Sequence, residues 1–122
     1  MTNPPTDQST PKELQMLQDL NNKNREKSAT VTRMEDMIEG FDIQYVLDLN
    51  VRLRDYYAKI GDRDMIPLID QMTETMRDLT EIINQVKVKR LTLEQGQREI
   101  HEKLEEISQV LQTLKEWEMT AL

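Results

Sequence analysis

The sequence predicts an all-α fold, an elongated helical bundle or coiled coil with one long C-terminal helix. Three observations support this class. Glycine and proline are scarce, with 3 Gly and 4 Pro in 122 residues, and 32% of the residues are charged. Apolar residues recur at alternating steps of three and four, the period of an amphipathic helix. Only residues 41–45 alternate as a strand would, and a single short strand has no partner to pair with.

The N-terminal residues 1–10 are predicted to form a disordered tail, and residues 11–122 a single all-helical domain. The tail is rich in Pro, Thr, Asn and Ser and has no large apolar side chain after Met1, so it cannot offset its ordering entropy. A polar leader of this kind also has the composition of some export signals. Ordered structure is expected to begin at a capping box formed by Thr10 and Glu13, with Pro11 in the first helical position.

The first helix is predicted to be weak in its middle. Its apolar positions keep one register only if two polar residues, Asn24 and Lys27, share the face with Leu17, Leu20, Val31, Met34, Ile38, Phe41 and Tyr45. Either the helix continues with an asparagine at a core position, which in coiled coils sets register and partner number, or it breaks within residues 21–28. We expect a break or a frayed middle.

The second helix is predicted to lie between Gly40 and Gly61 and to be the most deeply buried. Asp42 is a suitable N-cap, and the apolar residues between 43 and 60 cover more than one stripe. Gly61 is expected to end the helix. A corner at residues 62–64 follows, with Asp64 capping the next helix and Pro67 in its first turn.

The last third of the chain carries the longest pattern. Steps of three and four continue over seven heptads through Ile69, Met72, Met76, Leu79, Ile83, Val86, Arg90, Leu93, Gln97, Ile100, Leu104, Ile107, Leu111, Leu114 and Glu118. This phase predicts one uninterrupted helix over residues 65–119, roughly 80 Å long at 1.5 Å per residue. The alternative is a helical hairpin with a turn near residues 90–92, which a second capping box at Thr92–Gln95 favours.

Residues 91–122 are predicted to be a coiled-coil segment that mediates oligomerisation. The second helix can fold back over residues 69–86, but nothing obvious in the chain covers residues 100–114. Either the first helix swings round to cover them or another chain does, and the sequence favours another chain. The predicted partner-binding residues are Ile100, Leu104, Ile107, Val110, Leu111, Leu114 and Trp117.

The sequence points to no specific reaction, so we expect a protein that is not an enzyme and has no cofactor or metal. There is no Cys, and the single histidine, His101, has only Glu105 within reach on its own helix. The chain also lacks a phosphate-binding glycine loop, an HExxH motif and a calcium loop. Each chemistry needs several converging groups that this sequence does not supply.

The expected function is that of a non-enzymatic coiled-coil scaffold, adaptor or structural subunit, as a homo-oligomer or in a hetero-complex. A net charge of −7 argues against nucleic acid and anionic membranes as partners. The absence of a long apolar run and of a secretory signal peptide leads us to expect a cytoplasmic protein. The alternative function is a small acidic chaperone or regulator that binds a protein client through a methionine-rich groove containing Met34, Met72 and Met76.

Overall fold

The computed structural model describes residues 11–30, 33 and 43–120, and these residues form helices and no strand. The four helices are α1 (Lys12–Thr30), α2 (Ile43–Lys59), α3 (Ile66–Lys87) and α4 (Leu93–Thr120). The all-α class is therefore confirmed. The predicted tail, the Thr10 cap and the predicted roles of Val31, Met34, Ile38, Gly40, Phe41 and Asp42 lie outside the described residues.

Helix α1 runs through the stretch in which we expected a break. Asn21, Asn24 and Ser28 face the interior and are buried together with Leu14 and Leu17. The prediction of a break was wrong because polar side chains on this face of α1, Asn21 and Ser28, find partners on α4. The Asn21 amide, for example, donates a hydrogen bond to the main-chain oxygen of Leu104 at 3.1 Å.

The corner between α2 and α3 follows most of its predicted details. Gly61 has φ 78, the left-handed conformation that glycine adopts without strain, and the Asp62 amide donates to the Tyr57 carbonyl at 3.0 Å. Pro67 lies in the first turn of α3, as predicted. Asp64 does not cap α3, because the helix begins one residue further on, with Met65 at the N-cap position and no side-chain cap.

The uninterrupted helix over residues 65–119 is not formed, and the hairpin alternative describes the structure. Lys89 has φ 65, and the amides of Arg90 and Leu91 both donate to the Gln85 carbonyl, at 2.8 and 3.2 Å. Thr92 and Gln95 form the predicted capping box, with reciprocal hydrogen bonds of 3.0 and 3.1 Å. The C-terminal helix is still the longest of the described helices, with 28 residues.

The four helices form an antiparallel, up-down-up-down bundle. Each packs against two neighbours in the ring α1–α2–α3–α4, and α4 closes the ring against α1. The pairing of α1 with α4 is antiparallel, because Asn21 meets Leu104 whereas Ser28 meets Gln97. Exposed apolar residues such as Val51 show that α2 has one buried face, not several as predicted.

The predicted partner-binding residues of α4 are enclosed by the chain itself. Six of them are at most 7% exposed: Ile100, Leu104, Ile107, Val110, Leu111 and Leu114. The turn after α3 folds α3 back along one side of α4, and α1 swings round to cover the other. The premise that this chain leaves them uncovered was therefore wrong. Only Trp117, at 38%, is substantially exposed.

The predicted methionine-rich groove is not present among the described residues. Met72 and Met76 are fully buried in the core, together with Met65. Met34 lies outside the described residues. Methionines enclosed in a packed core fill space there and do not present a surface to a client.

Candidate functional site

The most distinctive part of the bundle is the contact between α1 and α4, where a predominantly apolar core gives way to polar side chains. We call it the polar interface, and it consists of Asn21, Asn24, Arg25 and Ser28 on α1 and Gln97, His101, Glu105 and Ser108 on α4. The α1 residues follow one another at helical spacing along the face that meets α4. They replace the leucines and isoleucines that such positions hold elsewhere in the bundle.

Two asparagines of α1 are buried in the polar interface. Asn21 is 6% exposed, and its amide donates to the Leu104 carbonyl at 3.1 Å. Asn24, one turn further along, is buried as well. A buried polar side chain satisfied in only one position disfavours every shifted pairing, at some cost in stability. Main-chain carbonyls recur along α4, so the register of α1 is set by pairs of side chains, Arg25 with Glu105 and Ser28 with His101, the single histidine.

Ser28 and His101 form the second part of the polar interface. The Ser28 hydroxyl donates to the Arg25 carbonyl at 2.8 Å, so it must accept a hydrogen bond from His101 Nδ1, which lies 3.1 Å away. On the other side of the ring, His101 Nε2 lies 3.7 Å from Glu105 Oε1. Gln97 adds a hydrogen bond from its amide to the Ser28 carbonyl.

An ion pair closes the polar interface on its outer side. The Arg25 guanidinium contacts Glu105 Oε1 through two nitrogens, at 2.6 and 2.9 Å, and lies 3.4 Å from the Ser108 hydroxyl. Both charged side chains remain more than a third exposed. Solvent therefore screens the pair, and its worth is at most about 1 kcal/mol. It contributes charge complementarity more than stability.

A serine, a histidine and a carboxylate lie next to one another here, as they do in the catalytic triad of a hydrolase. The geometry of Ser28, His101 and Glu105 argues against that chemistry. Ser28 is 1% exposed, so a substrate carbonyl cannot reach its oxygen. Its proton is donated to a main-chain carbonyl, not to the histidine that would have to remove it. Glu105 is engaged by Arg25 at a much shorter distance than by His101. This cluster holds two helices together.

Two grooves flank the polar interface and bring solvent to its edges. One, of about 320 Å³, lies along the earlier part of α1 and is lined by side chains that include Gln15, Asn22, Ser108 and Leu111. The other, of about 490 Å³, lies at the end of α1 beside His101 and Arg98. Water therefore reaches the contact between α1 and α4 at more than one place along its length.

A separate pair of hydrogen bonds fastens the far end of α4. Tyr57 donates to Glu118 Oε1 at 2.6 Å, and both side chains are buried. Burial raises the pKa of Glu118. Burial, together with the hydrogen bond to Glu118, also raises the pKa of Tyr57. Trp117 donates to Asp62 Oδ2 at 2.8 Å, so this predicted partner-binding residue contacts the α2–α3 corner of its own chain.

Sequence reasoning placed His101 beside Glu105 but did not place Ser28 beside His101, 73 positions away. The signal that was present is the spacing of Asn21, Asn24 and Ser28, three small polar residues that share one helical face. Taken as core positions of a continuous helix, they would have pointed to a polar interface. Asn24 and Lys27, placed on the face shared with Leu17 and Leu20, indicated instead a break within residues 21–28.

Comparison with known proteins adds no functional assignment. No protein-family model, no curated protein and no solved structure matches this chain. Within the described part of the chain, no group of three or more His, Asp or Glu side chains is placed to hold a metal ion. None of the helices formed by the described residues is long and apolar enough to cross a membrane.

Proposed function

We propose that this protein is a non-enzymatic adaptor or scaffold that binds another protein chain by helix–helix association. Helix α4 supplies the binding face, and α1 is a displaceable cover over that face. The observation that carries the proposal is the polar character of the α1–α4 contact. The binding residues of α4 are buried in the closed bundle and become accessible when α1 is released.

The apolar burial of α1 is small beside that of α3. The described part of α1 fully buries two large apolar side chains, Leu14 and Leu17, whereas α3 buries Ile69, Met72, Met76, Leu79, Ile82 and Val86. Each such side chain contributes about 1.5–3 kcal/mol when it is removed from water. Helix α1 adds two partly buried apolar side chains, Met16 and Leu20. Its hydrogen bonds across the polar interface have a net contribution of about 0.5–1.5 kcal/mol each. Release of α1 therefore costs much less than unfolding the bundle.

Release of α1 would uncover part of the apolar face of α4. Leu104 lies opposite Asn21, and Leu111 lines a groove together with α1 side chains. An amphipathic helix from another protein can cover such a stripe by placing its own apolar residues three and four positions apart. Helix α4 then binds its partner with residues that the sequence predicted for this role.

Hydrogen exchange of the full-length protein tests whether α1 opens on its own. We expect amides of α1 to exchange through an opening of lower free energy than the one that exposes α3. Leu17→Asp should increase this opening. The variant should then bind an environment-sensitive apolar dye while the α3 amides stay protected. Val51→Asp, at an exposed position of α2, is the matched control and should change neither result.

A cysteine lock provides the opposite test, since the chain has no cysteine of its own. Ser28→Cys combined with His101→Cys places two thiols where short side chains meet across the polar interface, since Ser28 Oγ and His101 Nδ1 lie 3.1 Å apart. Oxidation of this variant should suppress the hydrogen exchange of α1 amides. When the cysteine pair is combined with Leu17→Asp, oxidation should also suppress dye binding, and reduction should restore both. The proposal is wrong if α1 amides exchange only with those of α3, at one common free energy.

A further inference from the structure

The turn between α3 and α4 concentrates positive charge on a chain whose net charge is −7. Lys87, Lys89 and Arg90 are exposed cations within residues 87–90, and Val88 between them is 58% exposed. Within the described part of the chain, none of these three cations forms an ion pair with a carboxylate. We call residues 87–90 the basic turn. It is a cationic surface that contains one exposed apolar side chain.

The backbone of the basic turn is better suited to glycine than to the lysine it holds. The Lys89 amide donates to the Val86 carbonyl at 3.1 Å and the Arg90 amide to the Gln85 carbonyl at 2.8 Å, as in a Schellman motif. Glycine is favoured at the Lys89 position of this motif, because its φ of 65 is left-handed. The helix dipole favours a cation here, but Lys87 already supplies one in the last turn of α3. Lys89 therefore adds exposed charge where glycine would add stability.

We infer that the basic turn is a docking site for an acidic segment of a partner protein, a short stretch in which carboxylates flank an apolar side chain. The carboxylates pair with Lys87, Lys89 and Arg90, and the apolar side chain packs on Val88. Elsewhere the acidic surface of this chain repels such a segment, so charge directs it to the turn. The basic turn is separate from the α4 face, and docking there does not require the release of α1.

The charges around the basic turn favour a short acidic segment over a membrane or a nucleic acid. Exposed charges interact over about 8 Å at physiological ionic strength, and a short segment stays within that distance of the three cations. A lipid surface or a duplex extends further and meets exposed carboxylates on both helices, Glu81 of α3 and Glu94 of α4 among them. Lipid surfaces also attract segments with about 4–8 basic residues, more than this turn supplies. The small basic patch therefore matches a small acidic one.

Fluorescence anisotropy of a labelled synthetic peptide, in which glutamates flank a leucine, tests docking on the full-length protein. Binding should weaken as salt is added, because the paired charges are exposed. A variant that combines Lys87→Glu, Lys89→Glu and Arg90→Glu should weaken binding about tenfold or more. The control variant has the same net charge and should bind nearly as the wild type does. It replaces with glutamate three exposed cations elsewhere in the chain, Lys12, Lys23 and Arg63.

Lys89→Gly separates docking from the stability of the turn and keeps the test decisive if the triple variant does not fold. Its urea midpoint should rise, because glycine suits the left-handed conformation, while its affinity for the peptide falls. A lower midpoint would contradict the inference, since lysine would then stabilise the turn.

The oxidised Ser28→Cys/His101→Cys variant, in which α1 is locked, should bind the peptide as the wild type does. Failure of docking therefore leaves the proposed release of α1 to be judged by its own experiments. The inference is overturned if the peptide shows no salt-sensitive binding or if both charge-reversed variants weaken it equally. It is also overturned if vesicles of anionic lipid or duplex DNA bind the basic turn more tightly than the peptide does.

Discussion

Helix α4 is held on two sides by two kinds of contact. Helix α3 presents a continuous apolar face of isoleucine, methionine, leucine and valine and adds one ion pair at the surface, Lys103 with Asp78. Helix α1 presents two leucines and then the asparagines and serine of the polar interface. One helix thus takes part in an apolar interface and a polar one within the same bundle.

The α3–α4 contact contributes mainly to stability, whereas the α1–α4 contact contributes mainly to the specificity of helix pairing. Apolar burial is non-directional and scales with area, so the α3–α4 contact contributes most of the stability that holds α4 in place. Buried hydrogen bonds contribute less free energy but are satisfied in one register only. The α1–α4 contact accordingly depends more on matched polar groups than the α3–α4 contact does, as the proposed release of α1 requires.

The largest expected effect comes from a cavity in the α3 side of the core. Leu79→Ala should lower the free energy of unfolding by about 2–5 kcal/mol, because a fully buried leucine is truncated. Leu17→Ala in α1 is the matched variant, since Leu17 and Leu79 are both 1% exposed. In hydrogen exchange, Leu79→Ala should reduce protection throughout the bundle, whereas Leu17→Ala should reduce it mainly in α1. Equal losses across the bundle for both variants would contradict the separation of the two interfaces.

Tyr57→Phe should destabilise the protein by about 1–3 kcal/mol, because it removes the donor to the buried Glu118 carboxylate. The pKa of Tyr57 is raised in the folded state by burial and by the hydrogen bond to Glu118. The unfolded chain therefore loses this proton first, and the free energy of unfolding should fall as pH rises above about 10, the ordinary pKa of tyrosine.

The alkaline loss of stability should be smaller in Tyr57→Phe than in the wild-type protein, as measured by urea unfolding at several pH values. Leu79→Ala, which destabilises the core without removing a titrating group, is the control and should keep the wild-type slope. An identical alkaline slope in wild type and Tyr57→Phe would show that this hydroxyl does not carry the effect.

Replacing the two buried asparagines with apolar residues should make the α1–α4 contact as apolar as the α3–α4 contact. Asn21→Leu together with Asn24→Leu is expected to stabilise the attachment of α1 by about 1–2 kcal/mol, since buried polar groups give way to apolar ones. Hydrogen exchange should then show α1 amides opening at nearly the same free energy as those of α3. Faster exchange in α1 would mean that the asparagines stabilise the attachment of α1 more than leucines do.

The smallest expected effect concerns the exposed ion pair. Arg25→Ala should cost less than about 1 kcal/mol and should lose most of that effect at high salt, because the pair with Glu105 is partly exposed. Arg54→Ala is the matched variant, since Arg54 pairs with Asp70 at 2.8 Å between α2 and α3. Only Arg25→Ala should change the exchange of α1 amides. A salt-independent loss of several kcal/mol would contradict a screened surface pair.

Much of the fold could be predicted because it depends on local chemistry. The end of α2 follows from Gly61, which adopts a positive φ. The start of α4 follows from the pairing of Thr92 with Gln95. The continuous helix over residues 65–119 was predicted wrongly because an unbroken three-four phase reports which residues face a core. It does not report whether the chain reverses between them.

The amino-acid sequence by itself determined the all-α class, the position of the α2–α3 corner and the set of α4 residues that are removed from water. Local propensity, capping and apolar periodicity suffice for these features, since each depends on residues close together in the chain. Only the tertiary structure decided what covers α4, and hence that α1 meets it through Asn21, Arg25 and Ser28. That outcome depends on contacts between residues about 70–80 positions apart, and apolar periodicity carries no information about which helix becomes the neighbour of another.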